Sequence, residues 1–147
     1  MAFVFAQAAL ACPDPDKNGS PITKSDDGVT QMVPVVAGGD GDGQRCGIKP
    51  LDHPGVLGFL AEAPAFTLDY QAEGDRTLEL SVEATCDTVL LVNAGPDIWY
   101  FDDDAGGNEQ PLVTVANAPA GAYDIWVGGF FRPTGCDATL ILANPAE

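Results

Sequence analysis

From Pro64 onward the chain alternates apolar and polar residues. Phe66, Leu68 and Tyr70 are separated by Thr67 and Asp69, and Leu78, Leu80 and Val82 by Glu79 and Ser81. Tyr123, Ile125 and Val127 alternate with Asp124 and Trp126 in the same way. A period of two places successive side chains on opposite faces of an extended strand, so each run buries one face. Thr88 to Val92 is a short continuous apolar run, Ile98 to Phe101 is aromatic, Leu112 to Val115 is β-branched, and Leu140 and Leu142 close the series. Turn chemistry separates the runs at Glu73-Gly74-Asp75, Ala94-Gly95-Pro96-Asp97, Ala105-Gly106-Gly107-Asn108 and Pro119-Ala120-Gly121. No segment carries a capped helical period. The pattern predicts an all-β domain over residues 64–147, an antiparallel β-sandwich of about seven strands between residues 64 and 144.

Residues 1–63 differ in character. Pro13 to Gly47 is dense in Pro, Gly, Asp and Ser around one apolar island, Met32-Val33-Pro34-Val35-Val36. Pro34 cannot donate to a ladder, so this island reads as an edge strand within a loop-rich arm. The first eleven residues, MAFVFAQAALA, are uncharged. Ala9-Leu10-Ala11 before Cys12 has the shape of a signal-peptidase site, and two readings stay open: the end of an export signal, or an apolar strand of the mature protein.

At 147 residues the chain can bury roughly two thirds of its extended surface. No run approaches the roughly 20 apolar residues of a spanning helix. Six basic residues against 22 acidic ones give a net charge of −16, a field that repels nucleic-acid phosphates and anionic lipid headgroups. The four cysteines, Cys12, Cys46, Cys86 and Cys136, form no C-x-x-C pair, and His53, the only histidine, is not near them in sequence. They read as disulfides of an oxidising compartment, secreted or periplasmic. Of three connectivities, Cys12 with Cys46 and Cys86 with Cys136 is favoured.

Three motifs occur in order here: Cys86-Asp87-Thr88 followed by Leu90-Leu91-Val92-Asn93, then Trp99-Tyr100-Phe101-Asp102-Asp103-Asp104, then Gly121-Ala122-Tyr123-Asp124-Ile125-Trp126-Val127-Gly128. Over roughly residues 64–143 this set resembles the bacterial pre-peptidase C-terminal domain, with Cys86 where that family commonly has an aromatic. The resemblance implies a jelly-roll-like sandwich in an exported protein. It also implies a non-catalytic module of the kind appended to hydrolases, some of which bind calcium or polymeric substrates.

Asp102, Asp103 and Asp104, with Asn108 nearby, offer hard oxygen ligands for calcium. Alternate residues of a strand end point opposite ways, which would let two of the three reach one ion. The competing reading is a turn cap. Asp14, Asp16 and Asn18 stand at positions 1, 3 and 5 of an EF-hand-like loop with Gly19 at position 6, but position 12 falls on Ser25 rather than Glu. Trp126, out of phase with Tyr123, Ile125 and Val127, and the loop residues Phe130 and Phe131 form a candidate aromatic platform for a protein or polysaccharide surface. The serines, Ser20, Ser25 and Ser81, sit in no G-x-S-x-G elbow, so the expectation is a protein without catalytic activity. An assembly subunit that pairs through Phe3 to Ala9 is the alternative.

Overall fold

The computed structural model describes residues 11–145, so the apolar segment over residues 1–10 lies outside the described residues. Eleven strands form two sheets: β1 (Ser20–Ser25), β2 (Gln31–Val36), β3 (Gly41–Asp42), β4 (Phe59–Leu60), β5 (Phe66–Gln71), β6 (Leu78–Ala84), β7 (Thr88–Asn93), β8 (Trp99–Asp102), β9 (Leu112–Val115), β10 (Gly121–Gly129) and β11 (Asp137–Ala143). Seven of these, β5 to β11, fall where the alternation and turn signals place them. No α-helix occurs among the described residues, and none there is long and apolar enough to cross a membrane.

The smaller sheet runs β2-β11-β6-β9, antiparallel throughout. The larger is organised by β10, whose first half pairs with β5 and whose second half pairs with β7, while Gly129 reaches Phe59 of β4. β1 extends this sheet beyond β5 in parallel, and β8 extends it beyond β7. The arm is therefore part of the architecture, giving β1, β3 and β4 to one sheet and β2 to the other. Pro34 sits in edge strand β2, the position in a sheet where a residue without an N–H is best tolerated.

Alternation explains the main core. Leu68, Tyr70, Tyr123 and Ile125 face Leu78, Leu80, Leu140 and Leu142 across the sheets, all buried. Tyr123 Oη donates to the Pro119 carbonyl at 2.6 Å, which ties the turn before β10 to the core ring. β7 is buried at every position because the larger sheet is covered on both faces. On its outer face Val89, Leu91, Phe101 and Trp126 form a second cluster with Val56 and Leu60 from the arm.

Both disulfides take the favoured pairing, Cys12 with Cys46 and Cys86 with Cys136, at Cα separations of 5.6 and 6.2 Å. The first ties the beginning of the described arm to the turn after β3. The second joins the residues just before β7 and β11, one from each sheet.

Candidate binding site

Asp102 ends β8, and the chain bends sharply through the next two residues. Its Oδ2 accepts from the backbone N–H of Ala105 at 2.8 Å and of Leu112 at 2.9 Å. One carboxylate oxygen thus closes the turn and holds the start of β9 in the opposite sheet against the end of β8. The bend also brings all three carboxylates together: ligand oxygens of Asp102, Asp103 and Asp104 lie within 4.8 Å of one another. Strict strand alternation would have separated them; it stops at Asp102, where the ladder ends.

Asp103 is half-buried, with an oxygen 3.7 Å from Nε2 of His53. Burial, then Asp104, raises its pKa above the usual carboxylate value, while His53 acts in the opposite direction. The neighbouring Asp52 accepts from the Phe101 N–H at 3.0 Å, and the His53 ring meets Phe101 edge-on at 5.0 Å. This arm loop therefore seals the free edge of β8. Asn108 is exposed in the left-handed backbone region (φ 53°), where an Asn serves a tight turn.

Calcium takes six to eight oxygens. Three convergent carboxylates supply part of that shell, and one Asp102 oxygen is already engaged by two backbone donors. Asp14, Asp16 and Asn18 do not join this corner. Asp14 accepts from the Asp16 N–H at 2.9 Å in a local turn, and Lys17 pairs with Glu62 at 2.9 Å. The EF-hand-like spacing then runs into β1, whose extended backbone carries Ser25 about 16 Å from Ser20, too far to close a cage.

The aromatic expectation divides. Trp126 does face away from the main core, but residues of the arm cover it to 1% exposure, and its indole N–H donates to the Glu62 carbonyl at 3.3 Å. It packs against Trp99 with ring centroids 5.6 Å apart. The correction is physical: the second face of β10 is a second core, so Trp126 is not a surface platform. Phe131 is 71% exposed and makes an edge-to-face pair with the half-buried Phe130 at 4.7 Å.

These two phenylalanines line a cleft of about 500 Å³ beside the Cys86–Cys136 bridge. Asp87, Glu109 and Arg132 line it too. Its wall is fixed by the bridge and by the Phe130 N–H, which donates to the Asp87 carbonyl at 3.0 Å. Gly135 belongs to the same wall; a Cβ there would lie 1.1 Å from the Ala37 carbonyl oxygen. The Asp87 pKa is raised, first by burial and then by Glu109, Asp103 and Asp104. Two carboxylates, Asp87 and Glu109, thus come to the cleft lining from separate chain segments. Sequence reading missed Asp87, Glu109 and Arg132. The available signal was the pair of glycine-flanked phenylalanines just before Cys136, with Asp87 just after its bonded partner Cys86.

No protein-family model, curated protein or solved structure matches this chain. The site is therefore read from its own geometry.

Proposed function

We propose that this protein is a non-catalytic, exported binding module whose ligand face is the cleft at the Cys86–Cys136 rim. The observation that carries the reading is the pairing of exposed Phe131 with half-buried Phe130 in a cleft framed by a disulfide. Aromatic side chains give large contact area at low entropy cost, and a cross-linked frame reduces what must be ordered on binding. Two disulfides in a lysine-poor acidic chain support residence in an oxidising compartment, secreted or periplasmic. The resemblance to the pre-peptidase C-terminal domain supports an accessory role and a jelly-roll-like arrangement of the sandwich.

The non-catalytic part of this reading is supported by the sequence, whose three serines sit in no nucleophile elbow. His53 Nδ1 contacts the Gly55 carbonyl at 2.7 Å and its Nε2 lies 3.7 Å from Asp103, while the serines lie on β1 and β6. Binding of the protein to peptide and oligosaccharide arrays, compared with a Phe130→Ala/Phe131→Ala variant, tests the reading. Signal lost in the variant supports it, and a wild-type protein that binds neither array defeats it.

Calcium enters this reading at the Asp102–Asp104 corner, where it would neutralise three crowded carboxylates with water completing the shell. Thermal melting after chelation, with calcium added back, decides the point. An unmoved midpoint removes the ion and leaves the module.

A second reading, an assembly subunit, is favoured by edge strand β2, which exposes Met32 at 62% and Val36 at 70% on one face. Light scattering after size exclusion, with and without residues 1–11, tests it. A monomer in both forms ends it.

A further inference from the structure

The cleft at the disulfide rim has a charge pattern specific enough to name a ligand class, an assignment that rests on this cleft being the ligand face of a binding module. Phe131 is the most exposed large hydrophobic residue of the described chain, and it is paired with Phe130 on a wall that the disulfide and Gly135 hold in place. Opposite in character, Asp87 and Glu109 bring two carboxylates to the lining. These two carboxylates belong to a molecule already at −16, so this end of the cleft favours positive charge.

We propose that the cleft receives a lysine- or arginine-bearing segment of a partner polypeptide, with the cationic head at Asp87 and Glu109 and its aliphatic stem on Phe130 and Phe131. Long basic side chains combine an apolar stem with a charged tip, and aromatic faces attract cations. A surface of this sign also steers basic partners toward itself before contact. An acidic peptide would meet like charge at Asp87 and Glu109 and an opposite charge only at Arg132. A neutral sugar would use the aromatic pair but gain nothing from the charge of Asp87 and Glu109. Arg132 also lines the cleft and, among the described residues, forms no ion pair, so it is the one local charge that opposes a cationic guest.

The test is an NMR titration of the full ¹⁵N-labelled chain, in the presence of chelator, with capped tetralysine and tetraarginine, and in parallel with tetraglutamate and cellotetraose. The basic peptides are expected to shift the amides of Asp87 and Gly129 to Gly135, with binding that weakens as salt rises. Phe131→Ala is expected to weaken them about tenfold, and Asp87→Asn or Glu109→Gln about threefold each. Arg132→Gln should tighten binding, whereas Asp69→Asn, exposed on β5 outside the cleft, should leave it nearly unchanged. Basic peptides that shift no cleft amide, or whose affinity responds equally to Asp69→Asn and Asp87→Asn, overturn the assignment. If cellotetraose shifts the cleft and the basic peptides do not, the ligand class falls while the binding-module reading stands; if no probe shifts the cleft in a protein that binds the arrays through other residues, both fall.

Discussion

The ammonium of Lys24 donates to Asn144 Oδ1 at 2.8 Å, joining the edge strand β1 to the chain just beyond β11. Lys24 is 2% exposed, and the same ammonium also donates to the Ser25 carbonyl and, at 3.2 Å, to Asp27. Asn144 in turn donates to Tyr70 Oη at 2.8 Å and to the Thr77 carbonyl at 3.0 Å. A buried cation is tolerated here because each donor direction finds an oxygen. The network clamps the only parallel strand pair among the described residues to the opposite sheet.

Removing one partner leaves the others buried without it. Lys24→Met is expected to lower stability by about 2 kcal/mol, and Asn144→Ala by a similar amount. The double variant should cost less than the sum, because the two share one network. Urea midpoints of the four proteins measure the cycle.

Asp102 is expected to be the structurally demanding member of its run. Asp102→Ala deprives the Ala105 and Leu112 amides of their acceptor and should cost about 1–3 kcal/mol. Asp102→Asn keeps an oxygen and should cost less, while Asp104→Asn, exposed among like charges, should be neutral or slightly stabilising. Thermal melts in chelator rank the three.

Stability should rise as pH falls from neutral toward the ordinary carboxylate range. Burial raises the folded-state pKa values of Asp87, Asp103 and Asp124, so between the usual 3.8 and those raised values the folded chain binds more protons than the unfolded one. Asp27 runs the other way: the Val29 N–H, then Lys24, lowers its pKa, so its contribution is lost only as pH drops below 3.8. At the alkaline end Tyr123, pushed up to about 12 by burial, keeps its proton while an unfolded tyrosine loses it near 10, so stability should fall across that interval. Melting midpoints from pH 4 to 11 in chelator check both limbs; a midpoint that falls steadily from pH 7 to pH 5 contradicts the acid limb.

Each disulfide closes a long loop, with sequence separations of 34 and 50 residues. In the chain-entropy account each contributes about 4 kcal/mol. Cys86→Ala/Cys136→Ala is therefore expected to lower the denaturant midpoint strongly and to weaken whatever the cleft binds. Cys12→Ala/Cys46→Ala should lower the midpoint with less effect on binding, because that bridge is not part of the cleft lining.

Gly135→Ala should prevent normal folding, since its Cβ would overlap the Ala37 carbonyl. Gly55→Ala meets nothing within 4 Å and is expected to be neutral. Soluble yield and melting midpoint of the pair give the comparison.

Alternation, short apolar runs and turn signals were enough to place seven strands between Phe66 and Ala143, because a half-buried strand writes its buried face into every second residue and a strand covered on both faces, such as β7, into a continuous run. The turn chemistry between those runs and the cysteine spacing were local enough to read in the same way. The arm was not legible in these terms: Ser20–Ser25 is an edge strand with little buried face, and its pairing with β5 depends on a parallel register that no local signal encodes. Trp126 carried the right phase, yet only the fold shows that Val56 and Leu60 cover it, since that contact joins residues far apart in the chain. The Asp102–Asp104 run was visible as chemistry, but its convergence required the ladder to end at Asp102 and the chain to bend. The cleft was least legible, because its carboxylates and phenylalanines come from three separate segments. Sequence alone thus determined the seven strands after Pro64, the disulfide chemistry and the acidic surface, each a property of neighbouring residues or of composition. Tertiary structure decided which charges and aromatics share a space, because that depends on how two sheets close over one another.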